Sequence, residues 1–374
     1  MKIGIDAHAA ESDGSGNCTY IRNVLRELRQ VDTRNDYVLY VTNSRHPFYS
    51  DFRSYANFKI KQLAWKNPLI RIPFALARET RRDNLDILHV QYIAPPFHEG
   101  KLVATIHDLG FLHVPESFSR FEVLRSKILI RMTANRADRI ITGSHFSKND
   151  IAERYDIDPG RIAVISHGVS PDFKPEGDPA ATQKILIKYG IQKPYILCVG
   201  RLNPRKNLTA LVKAFALVKK ERAIPHKLVI AGKEDYATRK IIQTIEASGN
   251  PDDVRLTGFV EDADLPSLYN GADVFLYPSL FEGVGLPVLE AMACGVPVIA
   301  SDSSSLTEIV RDAGLLIDPL DIDEMTDALS KITMDRELRD DFISRGAARA
   351  GKFSWASTAR ETLEIYESLH RTRA

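Results

Sequence analysis

Two carboxylates, Glu282 and Glu290, flank a glycine-rich turn in the stretch FEGVGLPVLEAMACGVPV, residues 281–298. A carboxylate accepts hydrogen bonds from two neighbouring hydroxyls, so one glutamate suits a ribose diol and the other a hexose; a general acid and base pair is the competing reading. Pro287 suits the first turn of a helix over VLEAMAC and Gly295 its C-terminal cap, so the turn delivers free backbone N–H groups at the positive end of a helix. That positive end is expected to keep both glutamates ionised, which favours recognition over acid–base work. In GRLNPRKN, Arg201 and Lys206 converge on a helix whose N-cap is expected at Asn207. Two cations beside a helix N-terminus make a diphosphate site, with Arg binding two oxygens at once and Lys acting as a point charge; a solvated basic turn has the same composition.

His107 closes the run LVATIH and precedes Asp108. A lone histidine there is either a packed structural residue or a substrate ligand. The stretch AAESDGSGNCTY puts Gly14 and Gly16 just ahead of a helix, where glycines let the backbone approach a ligand; an ordinary turn is the alternative. GSGNCT carries Thr19 where a dinucleotide fingerprint requires its third glycine, which disfavours a nicotinamide dehydrogenase. His167 in ISHGVS and Ser144 with His145 in TGSHFS also follow strand candidates and are read as structural. The triplet DID at Asp321 to Asp323 leads into a helical pattern and is read as its cap, so no catalytic metal is expected.

These residues need elements to hold them. Short β-rich runs alternate with helical patterns along the whole chain, the signature of parallel sheets covered by helices. In the first half the strand candidates are KIGIDA, YVLYVT, FKIKQL, ILHVQY, LVATIHD, RIITG and IAVIS; in the second they are YILCVG, HKLVIAG, VRLTG, VFLYP, PVIAS and GLLID. Amphipathic stretches such as TYIRNVLRELRQ and LTALVKAFALVKK lie between them. Two complete β/α series predict two Rossmann-like domains, divided near residues 170–185, where prolines, glycines and charges interrupt the pattern. Ligands of such sheets bind beyond the carboxyl ends of the strands, where the residues singled out above all fall.

Composition is consistent with this. At 374 residues the chain exceeds what one core usually supports, and 44% hydrophobic with 26% charged residues excludes disordered and fibrous classes. The formal charge of +1 hides an asymmetry: up to residue 175 there are 25 Lys and Arg against 20 Asp and Glu, and beyond it 25 against 29. Cys18, Cys198 and Cys294 are too few and too scattered for a disulfide framework or a zinc site, which suits a reducing compartment. The N-terminus MKIGIDAH lacks a signal-peptide apolar run and no stretch approaches a membrane span, so a cytoplasmic protein is expected. The stretch 59–82 carries seven cations and one anion interleaved with Trp65 and Phe74. It reads either as a solvated basic helix or as a segment lying on an anionic membrane surface.

The array GRLNPRKN, then FEGVGLPVLEAMACGVPVI, with His107 and Asp108 closing an N-terminal strand, resembles the large retaining glycosyltransferase family of GT-B fold, the group 1 type with many bacterial mannosyl- and glucosyltransferases. The resemblance spans essentially the whole chain. It implies two Rossmann-like domains facing each other across a cleft: residues 1–172 for the acceptor, residues 173–353 for the nucleotide-sugar donor, and a terminal helix over 354–374 packing back on the first. By the same resemblance Arg201 and Lys206 hold the donor diphosphate, Glu290 the ribose, and Glu282 the transferred sugar, helped by Gly283 and the amides of Val284, Gly285 and Leu286. Gly16 lines the opposite wall, Phe259, Val260 and Glu261 contact the nucleobase, and His107 orients a hydroxyl of the donor sugar. The implied reaction moves a hexose from a nucleotide-sugar, GDP-mannose first, to a glycan or lipid-linked acceptor in cell-surface polysaccharide assembly, without metal, cofactor or nucleic acid. Attachment at the inner membrane face is the implied setting for residues 59–82. An epimerase or glycosyl phosphorylase on the same fold, and a non-catalytic sugar-nucleotide-binding protein, are the rival readings.

Overall fold

The computed structural model describes residues 1–12 and 14–371. Thirteen strands form, each at a run expected from sequence: β1 Lys2–Asp6, β2 Asp36–Val41, β3 Phe58–Gln62, β4 Ile87–Gln91, β5 Lys101–Thr105, β6 Arg139–Thr142, β7 Ile162–Val164, β8 Tyr195–Val199, β9 Lys227–Ala231, β10 Val254–Gly258, β11 Val274–Tyr277, β12 Val298–Ser301 and β13 Leu315–Ile317. They make two sheets, a seven-stranded one in the order β3-β2-β1-β4-β5-β6-β7 and a six-stranded one in the order β10-β9-β8-β11-β12-β13. All the pairings are parallel. Runs such as ILHV and VFLY are buried at every position, as strands covered on both faces must be.

The chain divides into two compact units. One comprises Met1–Leu112, Ser119–Gly168 and the segment beginning at Ser354; the other comprises His113–Phe118 and Val169–Phe353. The terminal helix is Trp355–Arg371, and the rest of the expected span, residues 372–374, lies outside the described residues. It packs along the helix Gly16–Val31. Thr358 Oγ1 donates to Ser166 O at 2.7 Å, and the Tyr366 hydroxyl meets His89 Nδ1 at 2.5 Å, so this helix is bonded into the first unit's sheet.

In each sheet the strand order reverses once, between β1 and β4 and between β8 and β11. At such a switch point the loops leaving adjacent strands diverge and open a crevice. The second unit's switch point is flanked by the loop after β8, which carries Arg201 and Lys206, and the loop after β11, which carries Glu282.

The stretch 59–82 is not one basic helix. It starts in β3, turns through Pro68–Ile70, runs as a π-helix over Arg71–Leu76 and ends in the helix Ala77–Asp83. Arg71 is fully buried and holds both Asp6 oxygens, at 2.8 and 3.0 Å. Lys61 bonds Glu79 and Asp83, both at 2.8 Å. Arg78 and Arg82 pair with Glu79 at 2.9 and 3.3 Å, and Arg81 with Glu99 at 3.1 Å, so five of the seven cations are committed to carboxylates of the same unit. Among the described residues no helix is long and apolar enough to cross a membrane.

Candidate active site

The loop after β8 is tied down at its own base. Asn203 Oδ1 accepts from the Arg205 amide at 2.9 Å and caps the short 3-10 turn Pro204–Lys206. Asn207 occupies the N-cap of Leu208–Arg222, as expected, but with φ 54° and no capping hydrogen bond. Its side chain instead donates to Pro319 O at 2.6 Å, fastening the loop to a neighbouring connection. Lys206 is buried, with Nζ 2.6 Å from Glu282 Oε1 and bonded to the Tyr277 hydroxyl. Arg201 has a side chain 48% exposed, with its guanidinium 4.0 Å from Asp235.

Glu282, in the turn after β11, is buried. Ser279 Oγ donates to Oε1 at 2.5 Å, the Tyr277 hydroxyl at 3.0 Å, and Lys206 at 2.6 Å, so three donors converge on one oxygen. The other oxygen faces the Arg205 guanidinium at 3.9 Å. Burial alone would raise the Glu282 pKa; the Arg205 and Lys206 charges and the bonds from Lys206 and Ser279 outweigh it and bring it down to about 2. Burial also lowers the Lys206 pKa, against the opposing charge of Glu282.

The turn then enters the helix Leu286–Ala293 through Gly285 at φ 88°. A Cβ there would stand 2.5 Å from Leu306 Cδ2, so both conformation and space demand glycine. Among the described hydrogen bonds none is donated by the amides of Val284, Gly285 or Leu286. The helix ends as expected: Gly295 at φ 73° donates to Met292 O and Val296 donates to Ala291 O, a Schellman cap.

Glu290 lies one turn inside this helix, where the Tyr269 hydroxyl donates to Oε2 at 2.8 Å. Burial pushes its pKa up to about 7, opposed by the Tyr269 bond and reinforced by Asp262. The expectation that the helix end keeps both glutamates ionised therefore fails for Glu290. The field of so short a helix fades within its first turn, and among the described residues no cation is paired with Glu290 as Lys206 is with Glu282. Beyond β10, Phe259 is 40% exposed and Glu261 is at the surface, but Val260 is buried in the second unit's core, so its side chain is withdrawn from any base contact.

In the first unit, His107 follows the end of β5, and its Nε2 lies 2.9 Å from Gln91 Oε1. Tyr20, His167 and Tyr92 wall the ring at centroid distances of 4.7, 5.3 and 5.5 Å. Burial, with His167 and His89 nearby, lowers its pKa well below the ordinary value, which makes it neutral. Gly16 opens the helix Gly16–Val31 behind Ser15, whose hydroxyl accepts from the Cys18 amide. A Cβ on Gly16 would meet nothing within 4 Å, so no packing within the protein demands this glycine. Ser144 is a helix cap, accepting from the Ser147 amide, and His167 packs against Tyr20 and Trp355, both as structural residues do. Asp321 caps Ile322–Met334 through the Glu324 amide, as expected. Among the described residues no group of three or more His, Cys, Asp or Glu is placed to hold a metal ion.

Five residues were invisible to sequence reasoning: Gln91, Arg205, Tyr269, Tyr277 and Ser279. Tyr277 and Ser279 had one weak signal, their place at the end of β11 just before the turn.

Comparison with known proteins places the whole chain among relatives of one kind. A family model described as Glycosyl transferases group 1 matches residues 182–349, and one described as Glycosyltransferase Family 4 matches residues 15–173. The O-antigen chain mannosyltransferase B of Escherichia coli is 32% identical over 327 residues, covering 86% of each chain. Among solved structures, sucrose-phosphate synthase from Thermosynechococcus elongatus superposes with a TM-score of 0.80 at 21% identity, covering 100% of each chain. Anabaena HepE in complex with UDP and glucose does so with a TM-score of 0.75 at 19% identity, covering 98% of this chain and 100% of its own.

Proposed function

The chain belongs to the group 1 glycosyltransferases and has their GT-B fold, and on that premise we propose that it transfers mannose from GDP-mannose to a glycan or lipid-linked acceptor during cell-surface polysaccharide assembly. The E. coli relative, a mannosyltransferase by name, supports the sugar and the context, and favours transfer over epimerisation or phosphorolysis. The observation that carries the donor site is the convergence of Lys206, Arg205 and Glu282 with the open amides of residues 284–286 at the second unit's switch point.

In this reading the donor binds to the domain 173–353 and the acceptor to residues 1–172, with the terminal helix returning to the acceptor domain. Arg201, Lys206 and the three amides receive the diphosphate, Glu290 the ribose, and Phe259 and Glu261 flank the base. The incoming phosphates compete with Glu282 for Lys206, leaving Ser279 and Tyr277 to hold one Glu282 oxygen while the other, 3.9 Å from Arg205, accepts from hexose hydroxyls. As the bond from the anomeric carbon to the phosphate oxygen breaks, negative charge grows on that phosphate where the cations already stand, so stabilisation is greatest in the transition state. The acceptor oxygen bonds the anomeric carbon on the same face, its proton passes to the departing phosphate, and configuration is retained. These cations and helix dipoles meet the leaving-group charge without a metal.

The acceptor side points to a membrane. Trp65, Leu69, Ile70 and Phe74 are exposed, and so are Phe121, Leu124, Ile128 and Met132 along the helix Arg120–Arg136. Ala75 and Leu76 share one core cluster with Ile130 and Ala134, so both segments cover the same side of the seven-stranded sheet. Lys66, Arg78, Arg120, Lys127 and Arg131 are exposed among these apolar side chains, a pattern that suits an anionic bilayer.

A thermal-shift screen of GDP, UDP, ADP and dTDP tests the donor. GDP at 100 times its Kd should add roughly 2.7 kcal/mol of stability. A larger shift with another nucleotide would overturn GDP-mannose, and no shift with any of the four would overturn the donor site.

A further inference from the structure

His107 has two ring nitrogens, and the structure gives only one of them a partner. Nε2 lies 2.9 Å from Gln91 Oε1, whereas Nδ1 is buried with no hydrogen-bond partner among the described residues. The nearby hydroxyl of Tyr20 is already committed to Thr105 Oγ1 at 3.1 Å, and the carboxylate of Asp108 accepts from the Gly110 amide at 2.8 Å. A buried polar atom left open in this way is costly unless something arrives to satisfy it.

Gln91 ends β4, and its own side-chain nitrogen is buried without a hydrogen-bond partner among the described residues, so Oε1 towards His107 is the bonded end of its amide. Directly after it, Tyr92 adopts φ 62°, and the Ile93 amide donates back to Gln91 O at 2.8 Å. This closes a γ-turn of the rare left-handed form, a strained conformation for a bulky residue. The same turn brings the Tyr92 ring against His107. The end of β4 thus supplies both the hydrogen-bond partner of the imidazole and one wall of its box.

We propose that Gln91 is a positioning residue: by accepting the His107 Nε2 proton it holds the imidazole as the Nε2–H tautomer and leaves Nδ1 as a bare acceptor for a hydroxyl of the transferred sugar. The tautomer is set by the hydrogen bonds the ring makes, and the Gln91 carbonyl oxygen can only accept, so the nitrogen facing it carries the proton. The ring then accepts from a hydroxyl instead of donating to one. The titratable groups facing it are His167, His89, Tyr20 and Tyr92, none of them a carboxylate, which is consistent with a neutral ring. This inference rests on the reading of His107 as a ligand of the donor sugar.

Histidine-selective nitrogen-15 NMR of the full chain, with His107→Gln to assign the signal, reads the tautomer without reference to activity. The wild type should show a protonated Nε2 and an unprotonated Nδ1. Gln91→Leu should release the tautomer to a mixture and lower kcat by roughly 10- to 100-fold with little change in donor KM, the scale seen when a partner orienting a functional histidine is lost. Gln91→Glu keeps an acceptor, so it should keep the tautomer while raising the His107 pKa by roughly 1 to 3 units. The remaining histidine signals report whether each variant is folded. A protonated Nδ1 in the wild type, or an unchanged tautomer in Gln91→Leu, overturns the assignment. If the tautomer follows Gln91 while Gln91→Leu and His107→Gln both retain full turnover, the role of Gln91 stands and the reading of His107 as a sugar ligand falls.

Discussion

Glu282 and Glu290 show how neighbours decide what one residue type does. Glu282 has three donors and two cations around it and stays ionised down to about pH 2; Glu290 has one tyrosine hydroxyl and titrates near 7. A carboxylate that accepts two ribose hydroxyls is favoured in its charged form, so nucleotide binding should expel the Glu290 proton. Affinity for free nucleoside diphosphate is expected to rise with pH through about 7 and then level off. Titration calorimetry in buffers of unlike ionisation enthalpy should detect that proton. Glu290→Gln should abolish the proton release and weaken the nucleotide by roughly 1.5 to 3 kcal/mol, the worth of a charged hydrogen bond. Glu282→Gln should leave nucleotide affinity nearly intact while impairing the whole donor and its turnover. Equal losses in the two variants would contradict the division of roles. The sign for stability follows the same logic: the raised Glu290 pKa contributes stability below the ordinary carboxylate range, which is lost as pH rises through about 7.

Between elements, Asp6 at the end of β1 is tied to Arg71 in the π-helical turn, one guanidinium nitrogen holding both carboxylate oxygens out of water. Burial would raise the Asp6 pKa, but the interactions with His8 and Arg71 outweigh it and hold the carboxyl far below the ordinary range. Its stabilisation is therefore present above that range and lost as pH falls toward the folded value. Arg71→Met strands a buried carboxylate and should cost roughly 3 to 5 kcal/mol in urea unfolding. Adding Asp6→Asn removes the stranded charge and should recover part of that loss. A single variant as stable as the wild type would show the pair to be dispensable.

At the scale of the whole molecule, the exposed apolar residues of the first unit should make membrane attachment depend on hydrophobic contact as well as charge. Sedimentation with anionic vesicles is expected at low salt and to weaken at high salt, because exposed cations are screened. Phe121→Glu with Ile128→Glu should abolish it and leave nucleotide binding to the second unit unchanged. No sedimentation of the wild type at low salt would end this reading.

The strands, their order along the chain and the two-unit plan were legible in the sequence because buried parallel strands must be continuous apolar runs, and helices between them must show one apolar face. The turn at Gly285, the cap at Gly295 and the cap at Asp321 were legible for a similar reason: each is a local backbone requirement that only a few residue types meet. Tertiary structure alone decided the rest. Nothing near Lys206 in the chain announces that it bonds Glu282, or that Tyr277 and Ser279 aim at the same oxygen. Arg71 reads as one more surface cation until β1 brings Asp6 against it. Glu290 and Glu282 carry the same carboxyl group, and only the fold set one against two cations and the other against a tyrosine hydroxyl. Backbone conformation is a short-range property that local residue types encode, whereas a side chain's charge state depends on atoms that approach it from distant parts of the chain.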